Sequence, residues 1–253
     1  MRVTVVGCGT AAPDAERAAP GFLVEQGDFR ILMDCGPGVV HALARLGLDW
    51  PAITHVVLTH FHNDHIGDVP ALFFAWKYGI RPARSARLEL IGPAGTATLI
   101  HSLPDALGAH IRDPGFAVMV RDATVDRTLP FDGGVVLRSV DTPHTEESLG
   151  FRLEADGVSV GYTGDTGPDP SIAAFMAGVD LLIAECSVPD AEAFPQHLTP
   201  TSLAELASAA QPGALLVTHV YPQLDRHTVP SLLESAGWRG RTIVAEDGLV
   251  LDI

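Results

Sequence analysis

The run Thr59-His60-Phe61-His62-Asn63-Asp64-His65-Ile66-Gly67-Asp68 sets three imidazoles and a carboxylate within six consecutive positions, directly after the apolar stretch Ile53 to Leu58. That stretch reads as a buried strand, so the polar cluster falls at a strand end. Side chains alternate along an extended backbone, which puts His60 and His62 on one side. Asp64 and His65, just past the strand end, can turn toward a second position. Imidazole nitrogens and carboxylate oxygens at this density suit divalent cations, and one short loop can serve two of them.

Three more segments follow one pattern, an apolar strand ending in a metal-competent residue. Val135 to Val140 leads to Asp141-Thr142-Pro143-His144, Val158 to Thr163 leads to Gly164-Asp165, and Ala214 to Thr218 leads to His219. In this reading His60, His62 and His144 hold one ion, and Asp64, His65 and His219 hold the other. The Asp165 carboxylate bridges both. Nitrogen and oxygen donors in four- or five-coordinate sites suit zinc, with manganese or iron as alternatives. His41, His55, His101, His110 and His227 lack such a context and are assigned no role.

Composition bounds the partners. The formal net charge is -15, and Lys77 is the only lysine. Polyanion binding rests on clustered Lys and Arg, so nucleic acid is not the expected partner. Arg81, Arg84 and Arg87 form one local basic cluster, read as a solvated loop after a helix rather than a phosphate anchor. The three cysteines are scattered, so neither disulfides nor a Cys-based zinc knuckle is expected. The chain has no apolar run near the roughly 20 residues of a membrane span and no secretory signal, which predicts a cytoplasmic protein.

No linker or low-complexity tract divides the sequence, and a single domain over residues 1–253 is the simplest partition. Strands are expected at Val3 to Val6, Phe22 to Glu25, Arg30 to Met33, Ile53 to Leu58, Leu88 to Ile91 and Ala117 to Val120. The second half repeats the texture at Val135 to Val140, Gly150 to Glu154, Ser159 to Tyr162, Leu181 to Ala184, Leu215 to Thr218, Thr242 to Ala245 and Leu249 to Ile253. Helical spacing marks Val39 to Leu46, Asp68 to Tyr78, Thr96 to Leu107, Ser171 to Met176, Thr201 to Ala210 and Val229 to Ser235. Two stacked sheets with helices outside, and the metal loops along one edge, follow from this order.

At these residues the chain resembles the metallo-β-lactamase-fold hydrolases, whose signature His-x-His-x-Asp-His stands here as His60-Phe61-His62-Asn63-Asp64-His65. His144, Asp165 and His219 match the remaining ligand positions in order. The resemblance implies an α/β fold of the four-layer αβ/βα sandwich type, two mixed β-sheets flanked by helices, with a dimetal site at one edge. A finer resemblance is to the ribonuclease Z group, carried by Gly7-Cys8-Gly9-Thr10-Ala11-Ala12-Pro13, Arg17, Leu32-Met33-Asp34-Cys35-Gly36 and Leu216-Val217-Thr218-His219. Within Ala184-Glu185-Cys186 and His197-Leu198-Thr199, Glu185 and His197 match that group's acidic residue and catalytic histidine.

One departure matters. The tRNA-processing members carry a long arm that grips tRNA, but only twenty residues separate His144 from Asp165, enough for a hairpin. This favours armless relatives such as the cyclic-phosphate phosphodiesterases, although their amino-terminal cysteine cluster is missing. The resemblance implies a dinuclear hydrolase acting on a small or cyclic phosphodiester through a hydroxide that bridges two divalent ions. Asp64 would ligate and accept a proton, His197 would protonate the leaving alkoxide, and Glu185 would orient His197. Asp34 reads either as an acceptor orienting a ligand histidine or as a turn cap. The competing activities are lactone or thioester hydrolysis and ribonuclease Z-type 3′ cleavage of tRNA, the latter in a homodimer whose second subunit supplies a basic grip.

Overall fold

The computed structural model describes residues 1–125 and 127–253. The first half opens with an antiparallel meander of β1 (Arg2–Gly7), β2 (Gly21–Gln26) and β3 (Phe29–Met33). It continues through parallel strands β4 (His55–Val57), β5 (Leu88–Gly92) and β6 (Val118–Asp122). Parallel neighbours need crossovers, supplied by α1 (Val39–Arg45), the short α2 (Asn63–Ile66) with α3 (Val69–Tyr78), and α4 (Thr96–Leu107).

The second half repeats the plan. Antiparallel β7 (Leu129–Pro130), β8 (Val136–Asp141), β9 (Leu149–Ala155) and β10 (Val158–Tyr162) lead into parallel β11 (Leu181–Glu185), β12 (Ala214–Thr218) and β13 (Thr242–Val244). Helices α5 (Pro170–Phe175), α6 (Pro200–Ala210) and α7 (Val229–Ser235) make these crossovers. The last strand, β14 (Val250–Asp252), returns to pair with β1. Among the described residues each sheet has seven strands, ordered β14-β1-β2-β3-β4-β5-β6 and β13-β12-β11-β10-β9-β8-β7.

Strand alternation assigns each side chain a layer. Phe22, Ile31, Met33 and Val57 of the first sheet meet Phe151, Val160, Tyr162, Ile183 and Leu216 of the second in a buried inner core. The opposite faces, with Leu32, Val56 and Leu58 or Leu182, Leu215 and Val217, pack on helices. Sheets covered on both sides read as nearly continuous apolar runs, which is why these strands were visible in sequence. The result is the expected four layers: helix, sheet, sheet, helix.

Some expectations change. The short α2 and the two-residue β7 lacked any periodic signal. Arg84 is no solvated residue: it is buried, its guanidinium lies 4.9 Å from the Trp76 ring and 4.8 Å from Phe116, and it donates to the carbonyls of Pro51, Ile53, Ala86 and Arg87. Arg81 and Arg87 are exposed. The cysteines Cys8, Cys35 and Cys186 are buried free thiols. On α3, Phe73 and Trp76 face the core while Phe74 and Tyr78 are more than half exposed. Among the described residues, no helix is long and apolar enough to cross a membrane.

Candidate metal centre

Each predicted metal-ligating residue, and Glu185, lies at or just beyond the carboxyl end of a strand on one shared edge, while His197 comes from the loop before α6. β4 delivers His60 and His62, and the chain then coils into α2, which carries Asp64 and His65. β8 leads to His144, β10 to Asp165, β11 ends in Glu185, and β12 leads to His219. Gly36 lets the loop after β3 touch α2, since a Cβ there would sit 1.8 Å from the Asp64 carbonyl oxygen. A hairpin alone connects His144 to Asp165: β9 and β10 turn at Asp156 (φ 52°) and Gly157 (φ 79°), left-handed positions suited to a tight turn.

The seven side chains converge in two groups that share Asp165: His60, His62, His144 and Asp165, and Asp64, His65, Asp165 and His219. Within each group the nearest donor atoms all lie within 4.8 Å of one another. In the first group the His62 Nδ1 lies 3.1 Å from His60 Nε2 and 2.9 Å from His144 Nε2. In the second, Asp165 Oδ1 lies 3.2 Å from His65 Nε2 and 3.6 Å from His219 Nε2, and Asp64 Oδ2 lies 3.3 Å from His219 Nε2. Asp165 Oδ2 reaches toward the first group, 3.7 Å from His144 Nε2 and 4.0 Å from His60 Nε2.

Proton positions follow from the acceptors behind the rings. The His144 Nδ1–H donates to the Gln196 carbonyl at 3.0 Å, and the His65 Nδ1–H donates to Asp34 at 2.7 Å. Neither acceptor can donate, so in the neutral rings both Nε2 atoms turn a lone pair inward. Among the described residues, His65 Nε2 and Asp165 Oδ1 are buried without an aligned hydrogen-bond partner, although they face each other. Inward lone pairs and orphaned buried atoms are costly unless a cation completes them, so the residues present fit a pair of divalent ions.

Asp34 settles in the orienting role. It is fully buried at φ 58° and accepts from His65, from the Thr59 N–H at 2.8 Å, from the Thr59 hydroxyl at 2.9 Å and from the Tyr162 hydroxyl at 2.8 Å. Burial, then the charge of Asp34, holds the Tyr162 phenol well above its ordinary pKa, so it remains a donor. Thr59 and Tyr162 escaped the sequence reading, and only the position of Thr59 beside His60 hinted at its part.

Electrostatics favour ligand chemistry. Burial, helped by the neighbouring His65, drives the His60 pKa far down, and burial lowers His144 as well, so both rings are neutral near pH 7. His65 differs: burial alone would lower it, but Asp165 and Asp34 outweigh that and raise it well above its ordinary value. The same two carboxylates that favour a proton on His65 would favour a cation at its Nε2.

Beside the second group, the His197 Nδ1 faces both oxygens of buried Glu185 at 2.9 and 3.0 Å. Glu185 also accepts from the N–H groups of Thr166 at 2.7 Å and Leu198 at 3.1 Å. Burial works against the charged imidazole, but the hydrogen bond and charge of Glu185 prevail and raise the His197 pKa above 6.5. The His197 ring lies parallel to His219 with centroids 5.8 Å apart.

Two helix-flanked mixed sheets with such a donor set at their common edge define a metal-dependent hydrolase of the metallo-β-lactamase fold. A family model described as "Beta-lactamase superfamily domain" matches residues 29–220. The chain is 32% identical over 249 residues to a Mycobacterium marinum protein named ribonuclease Z, covering 88% of each chain. It superposes on YhfI from Bacillus subtilis with a TM-score of 0.86 at 24% identity, covering 99% of this chain and 98% of that one. A diphosphatase from the PhnP family gives a TM-score of 0.74 at 22% identity, covering 100% and 97%. The chain thus belongs to the beta-lactamase superfamily, among its ribonuclease Z-like hydrolases.

Proposed function

We propose that the protein is a dinuclear phosphodiesterase acting on a small or cyclic phosphodiester. His60, His62 and His144 would hold one divalent ion, Asp64, His65 and His219 the other, with Asp165 shared and zinc the expected metal. Such a pair supplies Lewis-acid charge that activates a water and neutralises the phosphoryl oxygens. The observation that carries the reading is the His197–Glu185 pair: an imidazole whose Nδ1 proton is held by a carboxylate can offer its Nε2 proton to a leaving alkoxide. Asp64, besides ligating, would accept the proton of the attacking water.

Charge and shape support a small substrate. The net charge of -15 opposes a long polyanion, and the stretch between His144 and Asp165 is wholly a hairpin. A cavity of about 790 Å³ opens beside Asn63 and Asp64, walled by Thr10 to Ala19 and by Pro37, Gly38, His41, Ala42 and Arg45. That volume would take the organic part of a small-molecule phosphodiester, with Arg17 and Arg45 among its lining side chains.

The test is hydrolysis of phosphodiesters whose leaving groups differ in basicity, using protein loaded separately with zinc, manganese or iron. We expect chelator-sensitive turnover, with His197→Ala losing the basic leaving groups while still binding two ions. Acyl-homoserine lactones or acyl thioesters cleaved far faster than any phosphodiester would reverse the assignment. A second reading has its own support in the relative named ribonuclease Z, which aligns over equal shares of both chains. Clean removal of a 3′ trailer from a tRNA precursor would establish it.

A further inference from the structure

Ser187 lies two residues beyond Glu185 and is fully buried. Its hydroxyl oxygen touches a Glu185 oxygen, lies 3.0 Å from His219 Nδ1 and lies 3.0 Å from the His219 carbonyl oxygen. A hydroxyl has one proton and two lone pairs, and a carboxylate against it can only accept. The proton therefore goes to Glu185, whose other contacts are all donors: Thr166, Leu198 and His197. Ser187 Oγ is left as an acceptor, and His219 Nδ1 must be the donor facing it. Were the proton turned to the His219 carbonyl instead, Nδ1 would still be the donor; were it turned to Nδ1, the hydroxyl oxygen would meet both acceptor oxygens with no proton toward either.

The first sheet repeats the device. The Thr59 hydroxyl donates to Asp34 at 2.9 Å and lies 3.0 Å from His60 Nδ1, again a hydroxyl spent on a carboxylate and turned as an acceptor toward a ligand histidine. Each proposed ion thus has one imidazole held through a hydroxyl backed by a buried carboxylate.

We infer that Ser187 is a positioning residue: it fixes His219 with its proton on Nδ1 and its Nε2 lone pair toward the metal, and ties that ligand to the carboxylate that orients His197. The inference rests on reading His219 as a ligand and His197 as an acid. Ligand orientation and leaving-group protonation then share one carboxylate, Glu185, through two different arms.

Three readouts test it on the full chain. In metal-free protein, long-range proton–nitrogen correlation of His219 should show Nδ1 protonated; Ser187→Ala should abolish that preference. Zinc titration against a competing chelator should find one of the two ions, the one held by Asp64, His65 and His219, bound about 10–100-fold less tightly in Ser187→Ala, with the other changed less. Loss of turnover in Ser187→Ala should grow as the leaving group becomes more basic, and Ser187→Thr, which keeps the hydroxyl, should restore binding and turnover. If Ser187→Ala does not fold, Ser187→Cys, with a weaker donor and acceptor, takes its place with the same expected direction. Wild-type zinc affinity and wild-type tautomer in the alanine or cysteine variant would overturn the proposal. Wild-type protein that binds two ions but cleaves no phosphodiester would instead overturn the phosphodiesterase reading, leaving the tautomer and zinc results to decide the role of Ser187.

Discussion

At residue scale, Asp34 and His197 make the sharpest predictions. The Asp34 carboxylate donates nothing and takes four hydrogen bonds, so Asp34→Asn puts an amide donor among donors. We expect metal affinity to drop about 10–100-fold, read by chelator competition, with the fold retained by circular dichroism. His197 sets a pH dependence. The acid form is required, and the pKa is raised, so turnover of basic leaving groups holds below that value and declines as pH rises through it. The same pair gives stability that is complete below the ordinary histidine pKa and is lost as pH rises through the folded one. His197→Ala should lower kcat about 10²–10⁴-fold on such substrates and remove the alkaline limb, as kcat against pH would show. The seven proposed ligands were legible as a set because four of them crowd one six-residue run and the other three each follow an apolar strand. Tyr162 was not: its role depends on meeting Asp34, 128 positions away, across the two sheets.

At element scale, the loop after β3 and the short α2 behave as one unit. The Cys35 N–H donates to the His65 carbonyl, the Asp68 N–H donates to the Cys35 carbonyl, and the Asp68 carboxylate accepts from the N–H groups of Gly38 and Val40. Gly36→Ala would drive a methyl into the Asp64 backbone, which must move and carry Asp64 and His65 with it. We expect a destabilisation of about 1–3 kcal/mol by chemical denaturation, together with weakened binding of the second ion. Elements with strong patterning were readable: α4 and α7 have the expected bounds, and α6 begins one residue before the expected Thr201, capped by the Thr199 side chain. The four residues of α2 were not, because one helical turn has no period and its polar residues are fixed by tertiary contacts.

For the whole molecule, charge and metal loading set the behaviour. With a net charge of -15, the protein repels anionic substrates at a distance, so kcat/KM for a phosphodiester should rise modestly with added inert salt, whereas a tRNA gripped by a basic surface would bind less well. Removing the ions should lower the melting temperature, since a ligand at a hundredfold excess over its Kd adds about 2.7 kcal/mol. Loading should release protons and weaken as pH falls, because the proton held by His65 between Asp34 and Asp165 competes with the cation. The four-layer plan was readable from doubly covered strands; the return of β14 to β1 was not, since pairing across the length of the chain leaves no local trace. The proposed ligands come from both sheets, four from the first and three from the second, so a bound pair of cations would rivet the two leaves of the sandwich. Stripping the cations would unfasten the leaves along that rim, and amide hydrogen exchange at the strand ends bearing the ligands should quicken in the apo protein while the far rim keeps its protection.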